Sequence, residues 1–171
     1  LIRKPRMPKL VDPSLAVEST LSNPTASTIL KNHAKNAKTA CILICDITRP
    51  VPNSLILGPI IRKLMTLGIQ SEQITILIAT GLHRPNEGKE LEELIGDPWV
   101  LENAKVENHF ARDDSAHIEV GTTKKGNRIL LDRRFVDADV KIVTGLVEPH
   151  FMAGYSGGRK VIAPGVAHAE T

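Results

Sequence analysis

Aromatic side chains are scarce in this chain: three Phe, one Trp and one Tyr, or 3%. Single-stranded nucleic acid is commonly held by stacking on such rings, so that class of partner finds little to bind. Charge of one sign is lacking too. Basic residues exceed acidic ones by 22 − 19, a net +3, which suits small anionic ligands and is too weak to argue for nucleic acid. No apolar run approaches the roughly 20 residues of a membrane span, and no membrane partner is expected. The proline- and cation-rich start does not read as a secretory signal, and residues 1–23 read as an extended lead-in. Thiols are limited to Cys41 and Cys45. Four residues of strand span about 13 Å, well beyond the ~7 Å between α-carbons that a disulfide allows. The pair therefore reads as reduced core thiols of a cytoplasmic protein. With 42% apolar residues there is enough material for a packed core, and 171 residues suit a single domain.

What the chain does contain is a repeated pattern of apolar, strand-like runs that end in polar groups. Ile42 to Cys45 opens into Asp46-Ile47-Thr48-Arg49-Pro50. Ile74 to Ala79 opens into Thr80-Gly81-Leu82-His83-Arg84-Pro85, and Val140 to Val143 into Thr144-Gly145-Leu146-Val147-Glu148-Pro149-His150. In an open α/β sheet, loops leaving the carboxyl ends of parallel strands meet at one edge, where ligands bind. Thr-Gly-Leu occurs twice, and each copy is followed by a histidine. Two imidazoles on opposite sides of a substrate can alternate as base and acid near neutral pH.

Between these exits the pattern alternates. Thr25 to Ala37 reads as a helix, and Asn53 as the cap of a helix that Gly68 ends. Glu87 to Ile95 reads as a short acidic helix with a solvated charge run at 89–93, and Trp99 to Ala104 as a further turn. Val106 to Phe110 and Ile118 to Thr122 read as strands, with a turn at 124–127 leading into Ile129 to Asp132. The fold class is α/β: a layered, Rossmann-like, mostly parallel sheet with helices on both faces and a small hairpin insertion. His33, His109 and His117 read as surface or supporting histidines.

The most specific stretch is Gly154-Tyr155-Ser156-Gly157-Gly158-Arg159-Lys160, whose glycines and cations imply an anion cradle at the start of a helix. It is not a Walker A loop: that spacing needs glycine at 159 and a hydroxyl at 161, where the chain has Arg159 and Val161. No Gly-x-Gly-x-x-Gly follows the first strand, which excludes the dinucleotide fingerprint as well.

Taken in order, Asp46-x-Thr48-Arg49-Pro50, Thr80-Gly81-x-His83-Arg84, Glu148-Pro149-His150 and the Gly154–Lys160 loop resemble the nickel-pincer lactate racemase family, whose members racemise or epimerise 2-hydroxy acids. The resemblance covers roughly residues 40 to 171. It implies a nickel complex of a pyridinium-3,5-bis(thiocarboxylic acid) mononucleotide, tethered through Lys160. It further implies His83 and His150 as acid/base pair, Arg49 as the group that orients the substrate carboxylate, and Asp46 beside it. Ser156, Gly157, Gly158 and Arg84 are then expected around the cofactor. The family's nickel-ligating histidine lies about four helical turns past the lysine; His168 is too close to fill that place, so the ligand is expected beyond Thr171. The chain thus reads as the cofactor-tethering domain of a longer enzyme, inactive by itself, with its C-terminal domain as a partner and a small 2-hydroxy acid as substrate. A phosphate- or nucleotide-binding α/β domain without nickel chemistry is the alternative.

Overall fold

The computed structural model describes residues 8–171. In chain order the elements are helices α1 (Pro13–Ser22) and α2 (Leu30–His33), strand β1 (Ala40–Cys45), helix α3 (Asn53–Thr66), strand β2 (Ile74–Ala79), and helices α4 (Gly88–Ile95) and α5 (Pro98–Asn103). Strands β3 (Lys105–Asn108), β4 (His117–Thr122) and β5 (Arg128–Asp132) follow, then helix α6 (Arg133–Asp137) and strand β6 (Val140–Val143). The two-residue strands β7 (Pro149–His150) and β8 (Gly154–Tyr155) and helix α7 (Arg159–Ile162) complete the series.

The main sheet has the order β3-β2-β1-β6, with every pairing parallel. The chain lays down β1, moves outward through β2 to β3, and returns to the other side of β1 with β6. Loops leaving β1 and β6 therefore part in opposite directions, and a crevice opens at the carboxyl ends where they diverge. A separate antiparallel hairpin joins β4 to β5, and a short ribbon joins β7 to β8.

The apolar runs are continuous because the central strands are covered on both faces. All six residues of β1 are buried. Ile42 and Ile44, with Ile74, Ile76 and Ile78, pack against Leu57, Ile61 and Leu64 of α3 and Leu94, Ile95 and Val100 of α4 and α5. Each fully buried Leu or Ile contributes ~1.5–3 kcal/mol. On the opposite face, Cys41, Leu43 and Leu77 meet Phe135 of α6 and Val161 of α7. Both thiols are free and buried, and burial pushes Cys41 up to about 12.

Several sequence expectations need correction. The stretch before residue 8 lies outside the described residues, but the rest of the expected lead-in contains α1, started by Asp12, whose side chain accepts from Leu15 N, and by Pro13 in the first turn. The helix expected over residues 25–37 shrinks to α2, with Ala26 and Asn36 both at positive φ on either side. Asn53 is the first helical residue and makes no side-chain cap; its amide donates instead to Leu94 O. His109 and His117 are buried, while His33 lies at the surface.

Candidate active site

Loops after β1, β2 and β6, together with α7, enclose a cleft of about 270 Å³. Asp46, Arg49, His83, Ser156, Gly157 and Lys160 all line it, so six expected site residues from three segments converge there. Gly158, Arg84 and His150 stand outside this lining.

Asp46 follows β1 directly and is buried, whereas the His83 side chain is 59% exposed. His83 Nδ1 lies 2.5 Å from Asp46 Oδ2, and Thr48 Oγ1 donates to Asp46 Oδ1 at 2.6 Å. A carboxylate only accepts, so Nδ1 carries a proton, and in the neutral ring Nε2 keeps its lone pair. Thr48 was legible as part of the Asp-x-Thr turn, in which a short polar side chain bonds two residues away. Asn86 was not: it is buried, and its Oδ1 accepts from Ile47 N across 39 positions of sequence.

Arg49 and Lys160 bring two positive charges to the cleft. Among the described residues, neither has a carboxylate within ion-pair distance. Two cations without internal partners in one concavity select for an anion. Arg84 differs, since its guanidinium makes a bidentate pair with Glu90 at 2.6 and 2.7 Å, and that pair with Asn86 holds the Glu90 carboxyl down at about 2.

The Gly154–Lys160 loop is shaped mainly by its own bonds. Ser156 Oγ donates to Leu146 O at 2.6 Å and accepts from Glu148 N at 2.9 Å, which closes the loop onto the β6 exit. Gly157 has φ +69, and a Cβ there would lie 2.8 Å from Leu146 O, so both conformation and space require glycine. The two Thr-Gly-Leu copies differ in use: Thr80 Oγ1 donates to His109 O, whereas Thr144 Oγ1 donates to Leu43 O.

His150 lies on the β7–β8 ribbon, stacked on Phe151 at 5.2 Å. Its Nδ1 accepts from Met152 N at 3.2 Å and Ala153 N at 3.1 Å, so the neutral ring carries its proton on Nε2. His83 and His150 are thus held as opposite tautomers: His83 with Nδ1 bonded to Asp46 and Nε2 free, His150 with Nδ1 bonded to two backbone amides and its proton on Nε2.

The donor sets fit an organic anion more than a bare metal ion. Lys160 offers a half-buried amine beside the glycine loop, while among the described residues no group of three or more His, Cys, Asp or Glu side chains could hold a metal. No helix among them is long and apolar enough to cross a membrane.

Residues 1–171 match the model of the lactate racemase N-terminal domain. Lactate racemase of Lactiplantibacillus plantarum is 36% identical over 155 residues, covering 91% of this chain and 36% of that protein. Lactate racemase of Thermoanaerobacterium thermosaccharolyticum is 35% identical over 154 residues, covering 90% and 36%. The solved lactate racemase apoprotein of the latter organism superposes with a TM-score of 0.83 at 33% identity, over 91% of this chain and 37% of its own. A Thermotoga maritima protein of known structure gives a TM-score of 0.72 at 25% identity, covering 92% and 39%. The chain spans little more than a third of the length of these relatives. With the match running over its whole length, the chain belongs to the lactate racemase N-terminal domain family.

Proposed function

We propose that this domain supplies the acid/base histidines, the carboxylate anchor and the cofactor lysine of an isomerase that interconverts the enantiomers of a small 2-hydroxy acid, lactate or a relative. The observation that carries the reading is the meeting, in one cleft, of a histidine oriented by a buried carboxylate with two cations that have no internal partner.

Arg49 binds the substrate carboxylate, for which a planar guanidinium gives a two-point match. That contact brings the 2-hydroxyl toward His83, whose free Nε2 takes the hydroxyl proton, while Asp46 holds the ring and stabilises the imidazolium that forms. His150 serves the hydroxyl of the opposite enantiomer once its Nδ1 leaves the Met152 and Ala153 amides, for that nitrogen then takes the proton and the ring becomes the imidazolium that can return it. Lys160 would hold a nickel-pincer nucleotide, and Gly157 and Gly158 let backbone approach its phosphate closely. When bound, that group supplies a reversible acceptor for the hydrogen on the 2-carbon. Leu82 and Val161 line the same cleft and add apolar surface to it.

Chiral chromatography of enantiopure lactate, or a related 2-hydroxy acid, after incubation with cofactor-loaded enzyme tests this. The opposite enantiomer is expected to accumulate. His83→Ala and His150→Ala should each lower the rate by ~100- to 10,000-fold. Wild-type turnover in either variant would remove that histidine from the mechanism.

A further inference from the structure

A second polar cluster, buried behind the cleft, has no part in the chemistry above. The side chains of His109 and Asp132 are both fully buried, a placement that is costly for charged groups unless every bond is met. Here each one is met. His109 Nδ1 lies 3.1 Å from Asp132 Oδ2, and His109 Nε2 lies 3.1 Å from Ala167 O. Both partners only accept, so the ring is satisfied on both sides only with a proton on each nitrogen. Arg134 binds the other side of Asp132, with Nη2 at 2.6 Å from Oδ2 and Nε at 2.9 Å from Oδ1.

The main chain of His109 makes the connection to the site. Its amide donates to Ile78 O at 3.1 Å, and its carbonyl accepts from Thr80 Oγ1 at 2.6 Å. Those two bonds fix the end of β2 just ahead of His83. The ring meanwhile grips Ala167, in the segment that trails Lys160. Two backbone bonds run parallel to this link: Gly81 N donates to Gly165 O, and Asp132 N to Val166 O, each at 2.9 Å. His109 is therefore bonded to the turn that carries His83, to the end of the hairpin and to the segment behind Lys160.

We propose that His109 is a positioning residue that sets the spacing between Lys160 and His83. The proposal rests on the roles given to those two residues above. A cross-link that served stability alone would lower the melting temperature and leave the folded enzyme at full rate. A positioning link must also change the geometry of the site, and a misplacement on the order of 1 Å can cost about 100-fold in rate.

Two variants separate these outcomes. His109→Phe keeps the ring and its edge-on contact with His117, whose centroid is 5.0 Å away, but loses both donors. Thr80→Val removes the bond from Thr80 to the His109 carbonyl while keeping the side chain's shape in the cleft wall, which Thr80 also lines. In each folded variant, turnover of the cofactor-loaded enzyme should fall by about 100-fold. KM for the 2-hydroxy acid should stay within about twofold, because Arg49 sits on the β1 loop, which His109 does not touch. The ring signal of His83 in NMR spectra should shift, and in the cofactor-free protein acylation of Lys160 by an amine-reactive ester at fixed pH should change several-fold. Folded Thr80→Val with wild-type turnover, His83 signal and Lys160 labelling would overturn the proposal, whether or not His109→Phe folds. So would a nitrogen-15 spectrum of the wild type showing His109 protonated on one nitrogen only. If loaded wild-type enzyme interconverts no 2-hydroxy acid, the functional reading falls, and the His83 and Lys160 readouts still decide the positioning role.

Discussion

Gly165 is the position where a single methyl group should do most damage. A Cβ built there would lie 2.0 Å from Val161 O, 2.7 Å from Val161 C and 3.0 Å from Ala79 Cβ. None of these atoms can rotate away, since two are helix backbone and the third stands on a strand of the sheet. Relief requires the end of α7 to open or the Gly165 segment to lift. The first breaks the bond from Gly165 N to Lys160 O, and the second the bond from Gly81 N to Gly165 O. Overpacking of this kind costs about 1–3 kcal/mol, and a lost hydrogen bond adds about 1 kcal/mol. Gly165→Ala should therefore lose about 2–4 kcal/mol, or roughly 4–16 °C in Tm for a domain of this size. Thermal unfolding followed by circular dichroism reads this directly. A melting temperature within about 2 °C of the wild type would show that Val161 and Gly165 are not packed as described.

Asp132 should give the fold an acid limit. Burial pulls its carboxyl upward, but the Arg134 guanidinium and then His109 outweigh that and bring it down to about 2, from an ordinary 3.8. A depressed carboxyl stabilises the fold above its unfolded pKa and loses that contribution as pH falls through its folded value. The urea stability gap between wild type and Asp132→Asn should accordingly narrow by roughly 2 kcal/mol between about pH 4 and pH 2. A gap unchanged down to pH 2 would contradict the pairing. At the cleft, Arg49→Lys should raise KM for the 2-hydroxy acid and lower kcat together, because a point charge lacks the guanidinium fork. Full rescue by lysine would reduce Arg49 to simple attraction.

The strand exits were legible because central strands covered on both faces must be apolar along their length, and β1 and β2 are. The polar groups that follow such strands must fall at one sheet edge, whatever the details of the loops. Helix α1 was missed because it buries no residue, which left Asp12-Pro13 as its only signal. Glu90 reads as a solvated helix face, yet it answers Arg84 from across the loop that precedes the helix. His109 was unreadable for a different reason. Its partners lie 23 and 58 positions away, in a hairpin and in a segment whose placement no periodicity encodes. Asn86 was hidden in the same way, since it reaches Ile47 across the gap between two strand exits.

The tether at Lys160 is the part of the reading on which the rest depends. Mass spectrometry of the Lys160 peptide, from enzyme matured with the pincer nucleotide and active on a 2-hydroxy acid, tests it most directly. The expected result is a mass increment equal to the cofactor on Lys160, absent in Lys160→Ala along with the activity. An unmodified Lys160 peptide from a fully active preparation would contradict it.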